Sequence, residues 1–154
     1  MIRRANKKDI KRIIELLRQV SMVHYNLRPD IFKPKTTKYN EEQVENILED
    51  ENKPVFLFCD EENIHGYAFC EITNTMDDIL LQDNKTMYID DICVDEKIRG
   101  KHIGKKLYNY VLDYAKSIGC NMVTLNVWEG NDAAIKFYSN MGMKVRKTTM
   151  ETKL

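Results

Sequence analysis

In Tyr88-Ile89-Asp90-Asp91-Ile92-Cys93-Val94-Asp95-Glu96-Lys97-Ile98-Arg99-Gly100-Lys101-His102-Ile103-Gly104, a β-rich run ends at Val94, crosses four further residues and enters a basic turn with two glycines. The turn leads straight into a helix, because Ile103, Leu107, Val111, Tyr114 and Ile118 recur at helical spacing and Gly119 can end the run. A helix start leaves backbone N–H groups unpaired and carries the positive end of the helix dipole, so it favours an anion. Gly100 and Gly104 would let a phosphate approach the backbone, and Arg99 and Lys101 add charge. The glycine spacing is not that of a dinucleotide fingerprint, and no Gly-Lys-Ser/Thr ending of a P-loop follows.

Toward the N-terminus, Asn6 and Asp9 can cap a helix whose stripe is Ile10, Ile13, Ile14, Leu17 and Val20. Residues 23–38, with Pro29 and Pro34, read as an irregular loop, and Asn40 and Gln43 announce a second short helix carrying Val44, Ile47 and Leu48. Residues 55–59 and 64–73 read as strands joined by a hairpin turn at Asp60-Glu61-Glu62-Asn63. Residues 74–85 form an acidic loop. Toward the C-terminus, 122–127 read as a strand, Asn131 caps a helix that Gly142 ends, and 143–152 read as a last strand. The order β-α-α-β-β-β-α-β-α-β, without repeats or an internal linker, predicts one α/β domain over 1–154 with helices on both faces of the sheet.

A length of 154 residues, 43% of them hydrophobic, suits one core. The 24 basic and 24 acidic residues cancel, which argues against the whole molecule being drawn to nucleic acid or to an anionic membrane. Arg99, Lys101, Lys105 and Lys106 could form a local nucleic-acid patch, but an anionic cofactor explains the same residues better. Cys59, Cys70, Cys93 and Cys120 lack CxxC spacing and read as reduced thiols of a cytoplasmic protein; the three histidines are too scattered for a metal cluster, so no metal is expected. The first residues lack a signal-peptide h-region, and nothing approaches membrane-spanning length.

The run Tyr88–Val94, the turn 99–104, and Asn131-Asp132-Ala133-Ala134-Ile135-Lys136-Phe137-Tyr138 followed by Gly142 resemble the GNAT superfamily of N-acetyltransferases. The resemblance implies a mixed, mostly antiparallel sheet whose fourth and fifth strands splay apart, with acetyl-CoA as cosubstrate between them. It implies that Arg99, Gly100, Lys101, His102, Ile103 and Gly104 bind the pyrophosphate, and that the backbone of Ile92, Cys93 and Val94 pairs with the pantetheine, which Asn131 also approaches. His102 departs from the pattern, since the family prefers Gly or Ala there.

Acyl transfer to an amine needs a proton acceptor, a stabilised oxyanion and an acid for the departing thiolate. Tyr138 matches the family's acid, and a phenol is protonated at neutral pH. Asp90 and Asp91, consecutive in a strand, should point to opposite faces unless a bulge intervenes. Asp90 resembles the acidic position of polyamine acetyltransferases and is the candidate base or amine anchor, with Glu71 in reserve. Tyr25 and Arg28, with neighbouring His24, Asp30 and Phe32, belong to the expected helix-linking loop over the acceptor, and Trp128 stands at a strand end beside it. The expected function is an N-acetyltransferase acting on a small-molecule or peptide amine, in a ternary complex; the alternative is a catalytically silent acyl-CoA-binding or sensing module. The family resemblance leaves a homodimer open.

Overall fold

Reciprocal caps open the chain's first helix. The Asn6 side chain accepts from the Lys8 N–H at 3.0 Å while the Asp9 carboxylate accepts from the Asn6 N–H at 2.8 Å. The computed structural model describes residues 1–61, 63–98 and 100–154. After strand β1 (Ile2–Arg4) and a 3-10 turn (Lys7–Asp9), helix α1 runs Ile10–Leu27. The expected loop therefore starts later than its residue types suggested. His24 and Tyr25 lie on the last turns of α1, because nothing before Pro29 forbids helix. Helix α2 (Glu41–Glu49) begins at a second capping box, in which Asn40 and Gln43 each accept the other's N–H.

Strands β2 (Val55–Asp60) and β3 (Asn63–Asn74) form the expected hairpin, closing at the Asp60–Asn63 pair. β4 (Lys85–Val94) lies antiparallel to β3. Helix α3 (Ile103–Ser117) then crosses over to β5 (Met122–Leu125), which is parallel to β4, and α4 (Asp132–Asn140) follows. The sheet order is β1-β2-β3-β4-β5.

Strand alternation divides the core between two faces. On one, Leu57, Tyr67, Phe69 and Cys93 pack under α1 and α2 through Ile13, Leu16, Leu17 and Val44. On the other, Phe56, Ala68, Cys70, Met87 and Ile89 meet Leu107, Tyr108 and Val111 of α3. This is the mixed α/β sheet with helices on both faces that the element order implies. Among the described residues, no helix is long and apolar enough to cross a membrane.

The last expected strand does not form. Residues 143–154 have no strand assignment, and every residue from 144 onward is exposed. Strand character in a sequence becomes a strand only when a neighbour supplies the ladder, and among the described residues none does.

Candidate active site

Pairing between β4 and β5 runs from Thr86–Met122 to Ile89–Leu125 and stops, while β4 continues to Val94. Residues 90–94 thus present backbone toward a cleft in place of a neighbouring strand. At that point β4 also bulges. Phe69 pairs with Asp91 and Cys70 with Ile89, leaving Asp90 unopposed. The extra residue resets the alternation, so Asp90 and Asp91 both turn toward the α1/α2 face. There each accepts a hydrogen bond from a tyrosine of the same core cluster or its border. Strict alternation would have separated them.

The two carboxylates have different surroundings. Asp90 accepts from the Tyr39 hydroxyl at 2.6 Å and from the Lys38 ammonium at 2.8 Å; the same ammonium reaches the Asp90 carbonyl at 3.1 Å. Asp91 accepts from the Tyr67 hydroxyl at 2.7 Å. Burial pushes the Asp91 carboxyl up to about 6, overriding the lowering effects of the Tyr67 hydrogen bond and the Lys38 charge. Burial, followed by the charge of Asp91, raises the Tyr138 phenol on α4, whose ring lies 6.2 Å from Tyr108 and 5.1 Å from Phe137. Tyr138 therefore keeps its proton through the neutral range. Glu71 joins Asp90, Tyr39 and Phe69 in lining a cavity of about 220 Å³ beside α2.

The basic turn is anchored from α1. Asp95 is buried and accepts from the Arg12 guanidinium, from Gln19 at 3.3 Å and from the Lys97 N–H at 3.0 Å. Burial would raise its carboxyl, but these donors together hold it below the usual range. Arg99 lies outside the described residues. Gly100 has φ 91°, and His102 sits in the left-handed region at φ 56°, ψ 23°, a conformation that glycine adopts more readily than a residue with a Cβ. His102 gives no side-chain cap, and the first helical bond of α3 runs from the Lys106 N–H to the His102 carbonyl. Among the described residues, the N–H groups of Ile103, Gly104 and Lys105, which precede that bond, have no backbone acceptor, as expected of a helix start. A Cβ added at Gly66, opposite the end of β4, would lie 2.6 Å from the Cys93 carbonyl oxygen, so glycine there lets the two strands close under the cleft.

Where α1 ends, Arg28 lies 6.0 Å above the Trp128 ring and bonds Asp30 and Glu151. Phe32 bridges His24 at 5.1 Å and Trp128 at 5.2 Å, while Tyr25 stands half-buried on the last turns of α1. Asn131 caps α4, accepting from the Ala134 N–H at 3.4 Å. The sequence-derived residues thus form separate groups: Asp90 with Glu71, Arg28 with Trp128, and the turn before α3. Asp91, Tyr39, Lys38, Tyr67 and Asp95 emerge only in three dimensions. The Asp-Asp pair was the one visible signal, and the bulge that unites its members leaves no mark in residue type.

Comparison with known proteins points the same way. The chain matches the Acetyltransferase (GNAT) family over residues 20–143. It is 36% identical over 66 residues to a glucosamine 6-phosphate N-acetyltransferase of Arabidopsis thaliana, covering 43% of this chain and 42% of that protein. It is 30% identical over 95 residues to a spermine/spermidine N(1)-acetyltransferase of Bacillus subtilis, covering 60% of this chain and 59% of that protein. The matched segments therefore span about half the length of these curated relatives. A crystal structure of a mutant BH1408 protein of Bacillus halodurans superposes with a TM-score of 0.95 at 34% identity, covering 100% of this chain and 99% of that one. With the family matched over most of its length and the parallel β4/β5 pair opening as that family's fold requires, the chain belongs to the GNAT acetyltransferase family.

Proposed function

We propose that the protein transfers the acetyl group of acetyl-CoA to the primary amine of a small cationic molecule by direct attack in a ternary complex. The observation that carries this reading is the opening of β4 from β5 after Ile89 and Leu125, with two carboxylates, a protonated phenol and an uncapped helix start around it. The start of α3 suits a pyrophosphate. It offers the N–H groups of Ile103, Gly104 and Lys105, Lys101 stands beside them, and at Gly100 an added Cβ would meet nothing within 4 Å. The backbone of Ile92, Cys93 and Val94 would hold the pantetheine and polarise the thioester carbonyl, as the family resemblance implies, with Asn131 on the opposite wall.

Asp90 would receive the acceptor's ammonium in place of Lys38. Asp91, ionised at neutral pH yet more basic than an ordinary carboxylate, would take its proton. The amine nitrogen then bonds to the acetyl carbon, the carbon–sulfur bond breaks, Tyr138 donates its proton to the departing sulfur, and the extra proton left on the amide nitrogen returns through solvent to the Tyr138 phenolate. Glu71 and Asp90 in one cavity favour a polycationic acceptor. Relatives named for spermine/spermidine and for glucosamine 6-phosphate bracket the small-amine class.

The test mixes purified protein and acetyl-CoA with polyamines, amino sugars and peptides, and follows release of the coenzyme A thiol. The expected result is turnover highest with polyamines and reduced about 10²-fold or more in Tyr138→Phe. Acetyl-CoA binding without turnover across the whole panel would instead identify a silent binding module.

A further inference from the structure

Asp90, the residue read above as the anchor for an acceptor amine, already holds an amine of this chain. Residues 28–40 link α1 to α2 without helix or strand and carry Lys38 over the end of β4. The neighbours of Lys38 hold it in place. The Thr37 hydroxyl donates to the Tyr39 carbonyl at 2.7 Å, and the Tyr39 hydroxyl donates to Asp90 Oδ2 at 2.6 Å. The Lys38 ammonium then donates to Asp90 Oδ1 at 2.8 Å and to the Asp90 carbonyl at 3.1 Å, so two of its three N–H groups go to one residue. Asp90 is the first residue of β4 past Ile89, where pairing with β5 ends. The nitrogen is therefore tied to the point at which the cleft opens.

An ion pair whose side chains are 41% and 19% exposed contributes little to the fold. The groups that surround this nitrogen are instead those an acyl transfer uses. Burial raises the Asp91 carboxyl and the Lys38 charge works against it, which places the two groups in each other's field. Burial and then the Asp91 charge raise the Tyr138 phenol, which joins the third group to the set. On the β5 side, Asn126, the residue after the strand, donates to the Tyr88 hydroxyl at 3.3 Å. A primary amine, a carboxylate that can take its proton and a phenol that can give one thus share one neighbourhood before any outside amine arrives.

We propose that Lys38 is a modification site, acetylated in cis from acetyl-CoA bound in the cleft of the same chain. The inference rests on the catalytic reading. Asp91 takes a proton from the Lys38 ammonium, Nζ bonds to the acetyl carbon, and the carbon–sulfur bond breaks. Tyr138 protonates the departing sulfur, and the extra proton on the new amide returns through solvent to the Tyr138 phenolate. The products are N-acetyl-lysine and the coenzyme A thiol. The flexible four-carbon stem of a lysine lets Nζ turn from Asp90 toward the thioester. Once acetylated, the side chain carries no charge and can no longer pair with Asp90, which leaves that carboxylate open to an outside ammonium.

The experiment incubates the purified full chain with acetyl-CoA and no amine, and follows intact mass and a peptide map. Expected is a gain of one acetyl group per chain, mapped to Lys38, with a rate constant that stays the same when protein concentration is raised tenfold. The rate should fall by about 10²-fold or more in Tyr138→Phe. Lys38→Arg should show no gain, because its guanidinium keeps the charge on Asp90 but is not an acceptor amine. Exposed Lys147 supplies the uncatalysed rate in the same map. Acetylation of Lys38 no faster than of Lys147, or equally fast in Tyr138→Phe, would identify reaction with the thioester in free solution and overturn the proposal. A rate constant that climbs with protein concentration would overturn it by assigning the transfer to a second copy. Adding polyamines to the same preparation separates this inference from the one it rests on. Turnover of the free amine with Lys38 unmodified overturns this inference alone, whereas neither product overturns both.

Discussion

Burial that raises the Asp91 carboxyl to about 6 makes its charge costly to the fold and, in the proposed reaction, useful as a base. In the unfolded chain the group returns to about 3.9. The folded state thus binds this proton more tightly. The group's stabilising contribution is complete below about pH 4 and is lost as pH rises through about 6. Asp91→Asn, which stays neutral and can still accept from Tyr67, should raise the urea midpoint at pH 8 and leave it nearly unchanged at pH 4. The same variant should lower kcat/KM by about 10²–10⁴ and abolish an acidic limb near pH 6. Lower stability at pH 8 together with an intact acidic limb would remove Asp91 from both roles. The sequence displayed Asp90 and Asp91 as adjacent carboxylates but could not rank them. Their difference rests on Lys38, Tyr39 and Tyr67, brought in from a loop and another strand.

Elements with local punctuation were legible in advance. Asn6, Asn40 and Asn131 each accept an N–H at the helix start they were expected to cap, and Gly119 follows α3 at φ 80°. The bulge in β4 and the unformed last strand were not legible, because pairing depends on a partner strand that local residue types do not specify. At the start of α3 both kinds of information meet. His102 at φ 56° bears a strain of about 1–2 kcal/mol that glycine avoids, offset in part by glycine's greater freedom when unfolded. His102→Gly should therefore stabilise the chain by no more than about 1 kcal/mol and leave the acyl-CoA Kd equal or lower. A tenfold loss of affinity by calorimetry would show instead that the imidazole contacts the phosphate. Asp95→Ala strips Arg12 and Gln19 of a shared buried acceptor. Because Arg12 is 32% exposed, the expected loss is the lower end of what breaking such a pair costs, about 2–3 kcal/mol, accompanied by weaker acyl-CoA binding as the turn loosens.

Across the whole molecule, balanced charge, two apolar faces and one sheet follow from composition and element order, whereas the fate of the sheet's last edge does not. An edge is a property of the assembly, and the sequence of one chain shows only that its last segment has strand character. A strand forms only where a neighbour presents its backbone at ladder distance, so residues 143–152 keep strand-forming types without a strand, and the same dependence on a neighbour decides where β4 parts from β5 and the cleft opens.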